Sequence, residues 1–272
     1  MNSTTTARFS SSVVHFVFIS MIGLGLISLA IGCSADMTNE PISADASPLM
    51  EQEHDCSDHS HNAKGESILS DTYANFDALS KGELASAYSK QWRATTSATI
   101  ICTPHGGGIE AGTTEICDSV AGSDYDFYSF TGLKTPNSGN ATLHITSVNF
   151  DEPKGDSMIR AASKAIAIHG KSDNDNEIVF VGGRDADLRT KVKNELVAEG
   201  FDARIDTTSS VSGQGKTNFT NRTTTGKGCQ LEITTKLRQK LMTNLFNGAN
   251  NRTSSRTVYF TKFVKALRKA VQ

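Results

Sequence analysis

Apolar and polar positions along this chain follow different rules in successive stretches, and the changes of rule divide it in three. From Val13 to Ile31 the chain is almost continuously apolar, broken by serines and His15, and it ends in Gly32-Cys33. From Ser34 to about Gly65 it is Ser, Asp, Glu, Asn and His with few large apolar residues, too few to offset the entropy of ordering. From Asp71 onward, short apolar runs alternate with helix-period stripes, and only there does the pattern specify a fold.

Within that last part, Thr95–Cys102 reads as a strand from its β-branched content, and a helix capped by Thr113 or Thr114 runs to Ala121. Asp126–Phe130 and Leu143–Thr146 read as strands, separated by a Pro-Asn-Ser-Gly-Asn loop. Met158–Lys164 reads as helix, leading into an apolar strand, Ala165–Ile168, that stops at His169-Gly170. Glu177–Val181 is a strand ended by two glycines. Leu188, Val192, Leu196 and Val197 form a core-facing stripe on a helix over Ala186–Glu199. Phe201–Ile205 and Leu231–Thr234 are further strands, with a polar loop from Thr207 to Gly228 between them, and a helix over Thr257–Val271 closes the chain. Strands alternating with helices predict one α/β domain with a mixed, mostly parallel sheet and helices on both faces. The predicted organisation is residues 1–33 as a signal segment, 34–70 as a polar tether and 71–272 as the folded domain.

Composition changes this picture little. The 272 residues are 37% hydrophobic and 21% charged, with a net charge of −2, so no basic excess points to nucleic acid or an anionic membrane. A weakly basic start, an apolar core and the sequence Leu29-Ala30-Ile31-Gly32-Cys33 resemble a bacterial lipoprotein signal, with Cys33 as the lipidated residue. Contact with a membrane is expected only through that signal or lipid. The expected location is the cell envelope or the exterior, and the expected state is a monomer. Cys56, Cys102, Cys117 and Cys229 then remain, and in an oxidising compartment two disulfides are expected, with the pairing open. His54, His59 and His61 form a candidate metal-scavenging cluster in the tether.

Chemistry concentrates where strands end. The run Ala98–Ile101 breaks into Thr103-Pro104-His105-Gly106-Gly107-Gly108-Ile109-Glu110. A histidine and a glutamate five apart cannot share a helix face. Glycines between them let the backbone fold back, so the stretch is either a plain turn or two donors aimed at one metal ion. His169 follows its own strand in the same way, and functional groups gather beyond the carboxyl ends of strands in α/β sheets. Glu232 stands between Leu231 and Ile233, so it points to the face opposite theirs. In the loop before it, Asn218, Asn221 and Arg222 offer amides and a guanidinium suited to a carboxylate.

These pieces, in this order, resemble the zinc-dependent poly-γ-glutamate hydrolase family, which is related in fold and metal site to the zinc carboxypeptidases. The carrying motifs are Pro-His-Gly-Gly-Gly-Ile-Glu-Ala-Gly-Thr-Thr-Glu at 104–115, Tyr-Ser-Phe-Thr-Gly-Leu-Lys at 128–134 and Leu-His-Ile-Thr-Ser at 143–147. Phe-Asp-Glu-Pro at 150–153, Ala-Ile-His-Gly at 167–170, Val-Gly-Gly at 181–183, Asn-Phe-Thr-Asn-Arg at 218–222 and Gln-Leu-Glu-Ile-Thr at 230–234 complete the set. The resemblance implies that His105, Glu110 and His169 hold one Zn2+ and that Glu232 is the general base. It implies that Asn221 and Arg222, with Asn218 nearby, receive a substrate carboxylate; His144 is given no ligand role. The segment before residue 95 matches poorly, and Cys102, Cys117 and Cys229 stand where small or aliphatic residues would fit.

The implied activity is hydrolysis of γ-glutamyl amide bonds in an acidic polymer or peptide, poly-γ-glutamate first. Zinc-bound water would attack while Glu232 carries its proton to the leaving nitrogen. Two other readings remain open: a hydrolase of γ-glutamyl links in peptidoglycan stem peptides, and a non-catalytic surface lipoprotein that binds polyanions.

Overall fold

The computed structural model describes residues 71–135 and 137–272, all within a compact unit spanning His59–Gln272. The signal, the tether, the His54/His59/His61 cluster, Cys33 and Cys56 lie outside the described residues. In chain order the elements are α1 (Phe76–Gly82), β1 (Tyr88–Arg93), β2 (Thr99–Gly107), α2 (Thr113–Ala121), β3 (Asp126–Gly132), α3 (Pro153–Ala161) and β4 (Lys164–Lys171). They continue as β5 (Ile178–Gly183), α4 (Ala186–Ala198), β6 (Asp202–Ile205), β7 (Cys229–Thr234), α5 (Thr235–Leu241), α6 (Ala249–Ser254) and α7 (Val258–Val271).

Seven strands form one sheet in the order β1-β3-β2-β4-β7-β5-β6. The β2/β3, β2/β4, β4/β7 and β5/β6 pairs are parallel, and β1/β3 and β5/β7 are antiparallel, so the sheet is mixed and mostly parallel as expected. Alternation along each strand sorts side chains into two cores. Ile101, Ile166, Ile168, Leu231 and Ile233 pack beneath α2, α4, α5 and α7. Ile100, Cys102, Ala165 and Ala167 pack on the other side with Leu79 of α1, Met158 and Ile159 of α3, and the tilted and edge-to-face rings of Tyr128, Phe130, Phe150 and Phe219. Helices therefore cover both faces. Among the described residues, no helix is long and apolar enough to cross a membrane.

Several expectations fail for identifiable reasons. Leu143–Thr146 is not a strand: a 3-10 stretch ends at Leu143, and Leu143 and Ile145 reach the second core from a turn without a ladder partner. The poorly matched segment before residue 95 holds a strand, β1, whose polar sequence Tyr-Ser-Lys-Gln-Trp-Arg suits a sheet edge. Helices α5 and α6 follow β7 in a stretch with no clear apolar stripe. The second is held by Arg252, whose Nε donates to Glu115 Oε1 of α2 at 2.6 Å in a buried ion pair. Val197 does not join the core stripe of α4; it is 47% exposed, while Leu188, Val192 and Leu196 are buried. The expected disulfides are absent from the described residues: Cys102, Cys117 and Cys229 are free and buried, and Cys102 belongs to the core opposite that of the other two.

β2 runs three residues beyond Pro104 despite the missing N–H. Its ladder with β4 ends at Cys102, and its ladder with β3 shifts register between Thr103 and Gly106, so the proline falls in a bulge where no hydrogen bond is needed. Two of the glycines that follow, Gly106 and Gly107, are sterically required. A Cβ on Gly106 would stand 2.2 Å from Ser129 Oγ, and Gly107 has φ +66°. The turn then closes on itself, with Glu110 N donating to His105 O at 3.0 Å.

Candidate metal centre and active site

That turn brings the histidine and the carboxylate of the stretch 103–110 together. His105 Nδ1 lies 2.8 Å from Glu110 Oε1. His105 Nε2 lies 2.8 Å from Ile145 O, a group that only accepts, so the ring carries a proton on Nε2 and, when neutral, turns a bare Nδ1 towards Glu110. His169 arrives from the end of β4 on the Ala165/Ala167 face. Its Nδ1 is 3.0 Å from His105 Nδ1 and 3.6 Å from Glu110 Oε2, and its Nε2 is 3.5 Å from Ser147 Oγ.

Three electron-rich atoms thus converge in a buried place, and a positive charge must sit among them to offset their repulsion. Two ligands of one tetrahedral zinc stand about 3.4 Å apart, given bonds of about 2.0–2.2 Å. The observed separations of 2.8 to 3.6 Å bracket that value. The donor set, two imidazole nitrogens and a carboxylate, is one zinc favours, and the outer contacts to Ile145 O and Ser147 are of the kind that orient metal-bound imidazoles. The residues present fit a zinc ion.

A further histidine stands beside them. The His144 ring lies 4.1 Å from that of His105, centroid to centroid, and its Nδ1 is 2.8 Å from Asp71 Oδ1. Asp71 Oδ2 also accepts from Thr146 N at 2.7 Å, which fixes the carboxylate and through it the ring. Ligating atoms of His105, Glu110 and His144 all lie within 4.8 Å of one another, a second but wider grouping able to hold a metal ion.

Glu232 sits directly across the β4–β7 ladder from His169 and across the β7–β5 ladder from Phe180. Gln230, two residues earlier and so on the same face, donates from Nε2 to Glu232 Oε1 at 2.9 Å. Asn218 Nδ2 in turn donates to Gln230 Oε1 at 3.1 Å. Burial, joined by the charge of Glu110, pushes the Glu232 carboxyl well above its ordinary range, and Gln230, Lys171 and Arg238 pull against that. Burial also pushes Glu110 up, but the charges and hydrogen bonds of His105 and His169 outweigh it and hold Glu110 well below its usual range. Two neighbouring carboxyls with opposite shifts suit different work, one as a permanently ionised ligand and one as a proton carrier.

Asn221 and Arg222 both engage groups of the protein itself. Asn221 Nδ2 donates to Gly213 O and Gly215 O at 2.7 and 2.9 Å, and its Oδ1 accepts from Arg184 N and Gly228 N. Arg222 spends its donors on Thr217 O, Phe150 O, Asp156 Oδ1, Ser147 O and Val148 O. As placed, the pair braces the 213–228 loop against residues 147–156. Asn218 also works inward, joining the base through Gln230. Sequence reasoning placed His144 in a family motif without a ligand role, and it gave no role to Gln230 or Asp71. Only Gln230 left a signal, its two-residue spacing from Glu232.

Comparison with known proteins places the chain among relatives. The sequence model of the family described as poly-γ-glutamate hydrolase matches residues 73–266. The SPbeta prophage-derived UPF0714 protein YoqZ of Bacillus subtilis (strain 168) is 33% identical over 203 residues, covering 72% of this chain and 73% of YoqZ. UPF0714 protein YmaC of the same organism is 33% identical over 201 residues, covering 73% of this chain and 83% of its own. A solved structure of a bacteriophage poly-γ-glutamate hydrolase matches with a TM-score of 0.70 at 33% identity, covering 74% of this chain and 97% of that one. An apo, zinc-free structure of YndL matches with a TM-score of 0.69 at 30% identity, over 74% and 98% of the two chains.

Proposed function

This chain belongs to the poly-γ-glutamate hydrolase family and is a hydrolase of that kind, and from that premise we propose that it cleaves γ-glutamyl amide bonds at a single zinc ion held by His105, Glu110 and His169. The observation that carries this reading is the convergence of His105 Nδ1, Glu110 and His169 Nδ1 within 3.6 Å, with Glu232 across the ladder from His169. A structure of a relative prepared zinc-free supports zinc as the metal.

When bound, zinc acidifies a water molecule and polarises the scissile carbonyl. Glu232 is the group placed to take the proton from the attacking water and hand it to the departing nitrogen. Gln230 fixes Oε1 of that carboxylate, and no described donor reaches Oε2, which is left for the proton. Ile145 O and Ser147 hold the two imidazoles in the orientation that turns Nδ1 of each inward. Recognition of substrate carboxylates by Asn221 and Arg222 would require those side chains to exchange their present partners on substrate binding. Export rests on the apolar 13–31 run and Gly32-Cys33, and no described disulfide adds to it.

The test is to incubate purified protein with poly-γ-glutamate, with a chelator, and with the chelator followed by added zinc. Shortening of the polymer that stops with the chelator and returns with zinc supports the reading. Polymer left intact in every arm, while γ-glutamyl muropeptides are cut, sinks the substrate assignment and keeps the chemistry.

A further inference from the structure

Arg238, the fourth residue of α5, is buried on the side of the sheet opposite His169 and Glu232, yet among the described residues none of its hydrogen bonds goes to a carboxylate. Its Nε donates to Ile233 O at 3.0 Å, NH1 to Ala111 O at 2.6 Å, and NH2 to Lys171 O at 3.4 Å and Thr235 Oγ1 at 3.2 Å. The three carbonyls have one thing in common. Ala111 follows Glu110, Ile233 follows Glu232, and Lys171 follows Gly170, which itself follows His169 and donates its N–H to Glu110 Oε2 at 2.7 Å.

A guanidinium presents five donors in a rigid plane, so it can tie three chain segments at once where an ammonium cannot. Room for it depends on Gly170. A Cβ there would lie 2.6 Å from Arg238 Cζ, so the plane of the cation lies against bare backbone. Burying a cation away from a paired anion costs free energy unless its donors are satisfied and opposite charge is near. Here the donors are occupied, and Glu110 and Glu232 are the carboxyl groups within electrostatic reach.

We propose that Arg238 is the positioning residue of the metal centre, fixing Glu110, His169 and Glu232 relative to one another by gripping the backbone beside each. This inference rests on the metal-centre reading above. It acts through carbonyls, so it touches neither metal nor substrate. Removing it would loosen the donor set before any ligand is altered.

The experiment measures zinc affinity by competition with a chelating dye, on variants confirmed folded by circular dichroism at the same temperature. Arg238→Lys is expected to weaken zinc binding by about 10-fold to 100-fold, the usual size of losing an outer support. It is expected to lower kcat with little change in KM. Gly170→Ala, which keeps the charge but displaces the guanidinium, is expected to weaken zinc binding in the same direction, and it carries the test should Arg238→Lys fail to fold. Lys240→Ala, at a half-buried position of the same helix whose side chain pairs with Glu177, is the control and leaves affinity unchanged. Zinc affinity within about twofold of the parent in folded Arg238→Lys or Gly170→Ala, well short of an outer-support effect, overturns the proposal, whatever the change in melting temperature. A parent protein that binds no zinc overturns both this inference and the reading beneath it.

Discussion

Glu232 and His169 face each other across the parallel β4–β7 ladder, so neighbouring strands deliver the proposed base and one proposed ligand to the same face of the sheet. Their spacing is set by the strand-to-strand distance of the sheet and not by loop conformation, which makes it hard to perturb without disturbing the core. Substitutions at these positions therefore report on chemistry more than on placement.

Glu232→Gln tests both charge and catalysis. Hydrolysis is expected to fall by about 100-fold or more, the loss typical of removing a general acid–base group. Burial raises the Glu232 pKa in the fold, so above its unfolded value of 4.5 the unfolded chain ionises more readily than the folded one. The metal-free protein accordingly loses stability as pH rises from 4.5 towards the raised value. Glutamine removes that loss, so thermal melting of metal-free Glu232→Gln at neutral pH should lie above that of the parent, with no such gain below pH 4. A variant that melts lower at neutral pH contradicts the raised pKa.

His169→Ala and His144→Ala separate the two possible metal groupings. Elemental analysis of the purified variants should show zinc lost from His169→Ala and kept by His144→Ala, because the separations around His169 match one tetrahedral ion more closely. The opposite pattern would move the ligand set to His105, Glu110 and His144.

Gln230→Ala removes the donor to Glu232 Oε1 and the acceptor of Asn218 Nδ2. A fall in kcat of about 10-fold or more with a smaller change in KM is the expected outcome, measured by steady-state hydrolysis. Equal effects on both parameters would make Gln230 a binding residue instead.

Asp156→Asn tests the loop brace. Burial pushes the Asp156 carboxyl up, but hydrogen bonds from Arg160 and Arg222, with their charges, outweigh it and hold it below 3.8. A depressed carboxyl stabilises the fold above its unfolded pKa and loses that contribution as pH falls through the folded value. Denaturant unfolding at neutral pH should show Asp156→Asn less stable than the parent, with the difference shrinking at acid pH below the ordinary aspartate range. A difference independent of pH would mean that packing, not charge, is lost.

The strands that carry the site were legible because they are buried and central. Ile100-Ile101 and Ala165–Ile168 are short apolar runs that give way to His105 and His169, and Glu232 interrupts the apolar pair Leu231 and Ile233. The Leu143–Ile145 pattern has the same β-like alternation but no neighbouring strand to pair with, so packing in the second core used it as a turn. β1 was illegible because an edge strand needs polar residues. The three candidate ligands were legible as strand-end groups brought together by the resemblance. Asp71 and His144, and Arg238 and its three carbonyls, come from distant segments and share no local spacing. Arg222 shows the converse: a motif was visible, but the partners that occupy its guanidinium lie up to 75 residues away.

The three buried thiols, sealed from solvent on both sides of the sheet, make the protein its own opening gauge. Burial raises all three thiol pKa values, so in the closed fold they resist alkylation by both access and chemistry. Any modification must then wait for a local or global opening. Mapping the alkylated peptides over time would time the exposure of Cys102 beneath α3 separately from that of Cys117 and Cys229 under the other helical layer. The rate at which each layer lifts away from the sheet could be read with no residue changed.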